Sequence, residues 1–168
     1  MTCRQEVLAA VQRLRSRTGR EAFRLVEIVR EVQVAITPNT EQFAEYAKSD
    51  LDGEVVMLNL LRFARTGASE KESGAAAYGR YGDQVTKMIE AQGGTIVWSG
   101  LPHHVFVGDP EADRWDAAVL VMYPSREKFI EMVSTPEYND AHEDRESGLE
   151  ATVVLACEPA PGFRVLNG

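Results

Sequence analysis

The chain has 168 residues, 44% of them hydrophobic and 26% charged, which suits one globular domain with a small appendage. Its net charge of −8 argues against broad affinity for nucleic acid or anionic lipid, because holding phosphates takes an excess of Lys and Arg. The longest nearly unbroken apolar run, Val55 to Leu61, is far too short to span a bilayer.

No apolar segment of signal-peptide length follows Arg4, so no signal peptide is expected. Cys3 and Cys157 are too far apart for a metal-ligand or redox spacing, so a cytoplasmic protein with no disulfide framework is expected. The charge is unevenly spread. Residues 1–33 hold seven Arg and four Glu, a net +3, and the rest of the chain carries −11. Val7, Leu8, Val11 and Leu14 predict one amphipathic helix and, after Thr18-Gly19, Leu25, Ile28, Val29 and Val32 predict a second. Met1 to Arg4, Leu8-Ala9-Ala10, Thr18-Gly19-Arg20, Phe23 and Glu27-Ile28-Val29 resemble the start of small winged-helix-like proteins of unknown function. A reader of the DNA major groove needs a third helix, and Thr37-Pro38-Asn39 begins something else. Residues 1–36 are therefore expected to be a helical hairpin extension that packs on the main domain, residues 37–168, or on a partner subunit. Nucleic acid is not an expected partner, and a DNA-binding regulator is the least favoured reading.

In the main domain Thr40 is expected to cap a helix from Glu41 to Lys48. Glu54 to Arg62 reads as a strand, Arg65 to Ser73 as a loop, and Gly74 to Gln92 as a helix with Tyr78, Tyr81, Val85, Met88 and Ile89 on one stripe. Gly93-Gly94 closes that helix in the manner of a left-handed cap. Thr95 to Val107 is β-rich with a kink near Pro102, and Trp115 to Tyr123 returns as a strand. Pro124-Ser125 caps a helix from Arg126 to Val133, Thr135-Pro136 opens another to about Gly148, and Ala151 to Ala156 is the last strand. The order β-α-β-β-α-β predicts an α+β fold, a ferredoxin-like split βαβ antiparallel sheet.

A sheet with one wet face should alternate apolar and polar residues. The first strand does not: Val56, Leu58 and Leu60 share one side, and Val55, Met57 and Leu61 share the other. Ala117 to Met122 repeats the pattern. Helices cover one side only, and at roughly 25 cal/mol per Å2 several hundred Å2 of bare apolar sheet is costly. A homodimer closed sheet to sheet is expected.

Gly53 to Phe63, Tyr78 to Tyr81, Gly93-Gly94 with Trp98, Trp115-Asp116, Tyr123 to Arg126 with Phe129 and Met132, then Pro136 to Tyr138 with His142, Arg145 and Gly148 to Glu150 also carry a resemblance. Over about residues 40–157 the chain resembles the domain-of-unknown-function 1330 family of the dimeric α/β-barrel superfamily. The resemblance implies the ferredoxin-like fold and paired sheets but no reaction. Relatives in the superfamily include cofactor-independent monooxygenases, lactone isomerases, dehydratases and heme-dependent enzymes.

Asn59 interrupts an apolar strand, and a buried amide must find partners or face a ligand. Tyr138, His142 and Arg145 share a helix face, combining a phenol, a proton carrier and an anion clamp. Asp140, Glu143, Asp144 and Glu146 crowd the same helix, so the alternative for Arg145 is a solvated ion pair. Asp116 opens a strand, where it either orients His142 or simply closes a turn. Arg62 ends a strand, either as a clamp at the pocket mouth or as an edge charge in water. Tyr78, Tyr81 and Trp98 are either core aromatics or the walls of a ligand pocket. His103 and His104 diverge on a strand, so no metal site is expected, and no phosphate loop or nucleophile elbow occurs.

These residues predict a cofactor-independent enzyme doing isomerisation, cyclisation, dehydration or oxygenation on a small, partly apolar carbonyl or acid. The expected catalytic residues are His142 as general acid/base, Arg145 and Asn59 as donors that hold the developing oxyanion, and Asp116 to orient or assist, with Arg62, Tyr78, Tyr81, Trp98 and Tyr138 binding the substrate. No cofactor is expected. The alternative is a dimer that binds or senses a small molecule without converting it.

Overall fold

The computed structural model describes residues 35–50, 52–69 and 71–160. All lie in the second of the two units into which the chain divides, Ala35–Gly168. The hairpin expected over residues 1–36 falls almost wholly outside the described residues. Ile36, its last member, belongs with the main unit, where it packs against Leu61, Ala117 and Leu149.

Among the described residues the elements run α1 (Thr40–Lys48), β1 (Val55–Phe63), α2 (Gly74–Ala91), β2 (Thr95–Gly100), β3 (Ala117–Tyr123), α3 (Arg126–Val133), α4 (Pro136–Gly148) and β4 (Leu149–Cys157). Each helix begins where a side chain can take its free N–H groups. Asn39, not Thr40, caps α1, because Asn39 and Gln42 bond each other's backbone N–H reciprocally (3.0 and 2.8 Å). Ser73, Ser125 and Thr135 cap α2, α3 and α4, with Pro136 at the first turn of the last. Gly93 takes φ +74°, which lets Gly93 and Gly94 donate back to the carbonyls of Glu90 and Ile89 (both 2.9 Å) and ends α2.

The four strands form an antiparallel sheet in the order β2-β3-β1-β4. With its helical crossovers this is the ferredoxin-like split βαβ arrangement. β2 stops at Gly100 instead of reaching Val107. Its last pair is Gly100 with Ala118, β3 begins one residue earlier at Ala117, and Pro102 lacks a ladder donor. Most residues beyond it are exposed, Leu101, Phe106 and Val107 among them.

The register puts Met57 opposite Val121, Asn59 opposite Val119 and Leu61 opposite Ala117, so these share one face. The helices pack there. Val55, Met57, Val121 and Tyr123 meet Tyr81, Val85 and Ile89 of α2, Met132 of α3 and Ala141 of α4. Val55 and Leu61 are fully buried, each contributing about 1.5–3 kcal/mol. The opposite face is apolar too, with Leu58, Leu60, Leu120 and Leu155, and it stays partly open: Leu155 is 50% exposed. No described helix is long and apolar enough to cross a membrane.

α2 and α4 touch backbone to backbone. A Cβ on Gly148 would lie 2.7 Å from the Tyr78 nitrogen and 2.8 Å from the Gly74 oxygen, and a Cβ on Gly74 would lie 2.6 Å from the Gly148 oxygen. This approach fixes Tyr78 beside the last turn of α4.

Candidate functional site

Between the helices and the covered sheet face lies a cavity of about 1080 Å3. All five tyrosines of the chain line it. Helical spacing explains the arrangement: α2 brings Tyr78, Tyr81, Val85 and Ile89 to the cavity on successive turns, and α4 brings Tyr138, His142 and Arg145. β1 contributes Met57 and Asn59 from below.

Arg145 is buried, at 7% exposure. One guanidinium nitrogen donates to the Ile36 carbonyl, and among the described residues no carboxylate pairs with it. The solvated ion pair that α4's acids suggested falls to its neighbour: Asp144 pairs outward with Arg80 of α2 (2.6 Å), which also holds Glu72. A buried cation beside an open cavity, with donors to spare, is an arrangement that can hold an anion.

His142 is half-buried. Its Nδ1 has no partner among the described residues, and its Nε2 is 3.8 Å from Glu146, beyond hydrogen-bond reach. Burial, and then the Arg145 charge, pull its pKa below the ordinary value, with Glu146 opposing. The imidazole is therefore neutral at neutral pH and suited to accept a proton. Its ring stands 5.5 Å from that of Tyr138. The Tyr138 and Tyr81 hydroxyls are 3.3 Å apart. Burial pushes Tyr81 well above the usual phenol range and Tyr78 up to about 12, against the pull of Arg145. Both phenols keep their protons and can donate.

Asn59 reaches the cavity with a different polarity from the expected one. Its Nδ2 donates to the Met57 carbonyl (3.0 Å) and, at greater length, to the Val119 carbonyl (3.4 Å). Both partners are acceptors, so the amide nitrogen must face them. The oxygen is what remains for a ligand, and Asn59 is an acceptor instead of an oxyanion donor.

Three expected residues stand elsewhere. Arg62 points away along its strand, donates to the Arg114 and Ala112 carbonyls (2.7–2.9 Å) and lies 5.2 Å over Trp115, so it clamps the β2–β3 connection. Asp116 accepts from the Phe63 N–H (2.8 Å), which makes it a strand-entry brace with no contact to His142. Trp98 would follow Ile96 onto the cavity face by alternation, but the register slips between them and pairs Trp98 with Leu120. The indole sits on the open face at 52% exposure.

Tyr46, Tyr123 and the Ile36 carbonyl belong to the site and were not anticipated. Tyr123 shares the phase of Val119 and Val121, so strand alternation pointed to it. Nothing local marks Ile36, whose role depends on a contact with Arg145 across 109 positions. Among the described residues no group of three His, Cys, Asp or Glu is placed to hold a metal ion, and His103 and His104 are exposed.

Comparison with known proteins adds family and fold. The family described as Domain of unknown function (DUF1330) matches residues 68–158. A protein of unknown function from Rhodopseudomonas palustris is 34% identical over 74% of this chain and 95% of its own, with a TM-score of 0.69. A methylated form of it gives 32%, 77%, 98% and 0.70. A dimeric protein of unknown function with a ferredoxin-like fold, from Bacteroides fragilis, is 13% identical over 64% of this chain and 98% of its own, with a TM-score of 0.44. No curated protein matches.

Proposed function

The chain belongs to the DUF1330 family, and from that premise we propose that it is a homodimeric, cofactor-independent enzyme that moves protons on a small, partly apolar carbonyl compound or acid. The observation that carries the reading is Arg145: a buried guanidinium, unpaired among the described residues, one turn from a neutral imidazole on the wall of a cavity. His142 takes a proton from a carbon next to a carbonyl, and the electron pair moves onto the carbonyl oxygen. Arg145 holds that oxyanion, with Tyr78 or the Tyr81–Tyr138 pair donating as well. The proton then returns to the same or a conjugated carbon. Asn59 accepts from a hydroxyl or protonated group of the substrate. Isomerisation, cyclisation and dehydration all share the first step.

That step is testable without knowing the substrate. Deuterium uptake at the α-carbon of a panel of 2-oxo and 3-oxo acids is followed by proton NMR in D2O. Protein-dependent uptake, reduced about a hundredfold or more in His142→Gln, is the expected outcome. Uptake at the uncatalysed rate across the panel would falsify proton abstraction.

One observation favours the second reading, a binding or sensing dimer. Asp116 leaves His142 without the carboxylate that commonly orients a catalytic imidazole. Carboxylate binding with no deuterium uptake would select it. The dimer itself is supported by the open apolar face carrying Leu58, Leu120, Leu155 and Trp98. Light scattering at micromolar concentration should give twice the protomer mass, and a lone protomer refutes the pairing. The DNA-binding alternative rests on residues 1–33, which lie outside the described residues.

A further inference from the structure

We infer that the cavity's ligand is an acid with an extended apolar tail, its carboxylate on Arg145 and its tail running along α2 toward Ile89. The inference rests on the anion-anchoring role just proposed for Arg145 and adds a ligand class to it. The cavity follows α2 from Tyr78 to Ile89, about 16 Å at 1.5 Å per residue, and its lining is sorted along that length. At the Tyr78 end stand Arg145, Asn59 and Thr152. The sheet register places Asn59 opposite Val119 and Thr152 opposite Leu61, near where Ile36 packs. At the other end the lining includes Val85, Ile89, Ile96, Val121, Phe129 and Met132; Thr86 stands among them with its hydroxyl turned back to the Gly82 carbonyl, and none of these side chains is charged. Glu45 of α1, the one carboxylate of this lining, is exposed to solvent.

The sorting follows from the antiparallel packing of α2 and α4. The polar C-terminal half of α4 meets the N-terminal turns of α2, and the apolar second half of α2 meets α3 and the start of β1. A short acid would occupy the Arg145 end and leave Ile96, 41% exposed, and half-buried Phe129 open to water at the other end. A tail removes that surface from water together with its own.

Isothermal titration of the full-length protein with butanoate, octanoate, dodecanoate and octanol tests this. Affinity should rise roughly two- to fourfold per methylene from butanoate to octanoate and level off as the chain reaches about 16 Å. Octanol should bind at least about tenfold more weakly than octanoate. Ile96 is already 41% exposed, so Ile96→Asn is tolerated in the fold; it should weaken octanoate several-fold and leave butanoate unchanged. Equal affinities for butanoate and octanoate overturn the tail while the anchoring role stands. Octanol binding as well as octanoate, or no binding by any carboxylate, removes the anchor and the inference with it.

Discussion

Replacing Arg145 by Met separates an anchor for a ligand from a strut for the fold. Methionine keeps much of the arginine stem's length and apolar contact but removes the charge and all five donors. In the unliganded protein two effects oppose each other. The Ile36 carbonyl loses its donor, a cost of about 1–3 kcal/mol. Against this, a guanidinium at 7% exposure, with no carboxylate among the described residues, no longer has to be kept out of water, a relief of similar size. Unliganded stability in urea should therefore change by less than about 2 kcal/mol. Binding has no such compensation. Truncating one side of a buried charge pair costs about 2–5 kcal/mol, roughly 30- to 4000-fold in Kd for a carboxylate. The thermal shift given by saturating octanoate, about 2.7 kcal/mol at a hundred times Kd, should vanish in the variant at the same concentration. An unchanged octanoate Kd would refute the anchor. A loss of more than about 4 kcal/mol in the unliganded protein would make Arg145 a strut.

The remaining predictions concern the same wall. Native His142 holds its proton less tightly than in the unfolded chain, so its contribution to stability is present above about pH 6.5 and is lost as pH falls through the lowered native pKa; His142→Asn should flatten that acid limb in urea titrations between pH 7.5 and 5. Tyr78 runs the other way: its pKa is raised to about 12, so its contribution is present below pH 10 and lost as pH rises toward 12. Phenolate absorbance should show a late ionisation that Tyr78→Phe removes, and an ordinary one would contradict its burial. Gly148→Ala forces a methyl against the backbone of Tyr78 and Gly74 and should cost about 1–3 kcal/mol, read by thermal unfolding; a neutral change would mean the helices can separate freely.

How much of this was legible in the sequence depended on whether a feature is periodic or is settled by partners. The stripe of Tyr78, Tyr81, Val85 and Ile89, the trio on α4 and the two apolar faces of β1 are repeats of 3.6 or 2 residues, and the fold uses them as the pattern predicts. Hydrogen-bond assignments were not legible. Whether Asn59 offers a donor or an acceptor depends on the Val119 carbonyl of the neighbouring strand, and Arg62 and Asp116 were drawn from the site by the ends of the β2–β3 connection, whose path no local pattern specifies.

Trp98 shows how small the deciding event is. Alternation from Ile96 sends its indole toward the tyrosines, and one extra residue at the register slip sends it to the opposite face. The slip removes a large side chain from the apolar end of the cavity and adds it to the sheet surface that Leu120 and Leu155 occupy. One local irregularity thus widens the space a ligand tail would fill and enlarges the face a second protomer would cover. The cavity and the proposed dimer face are thereby linked, because the same bend in β2 shapes both.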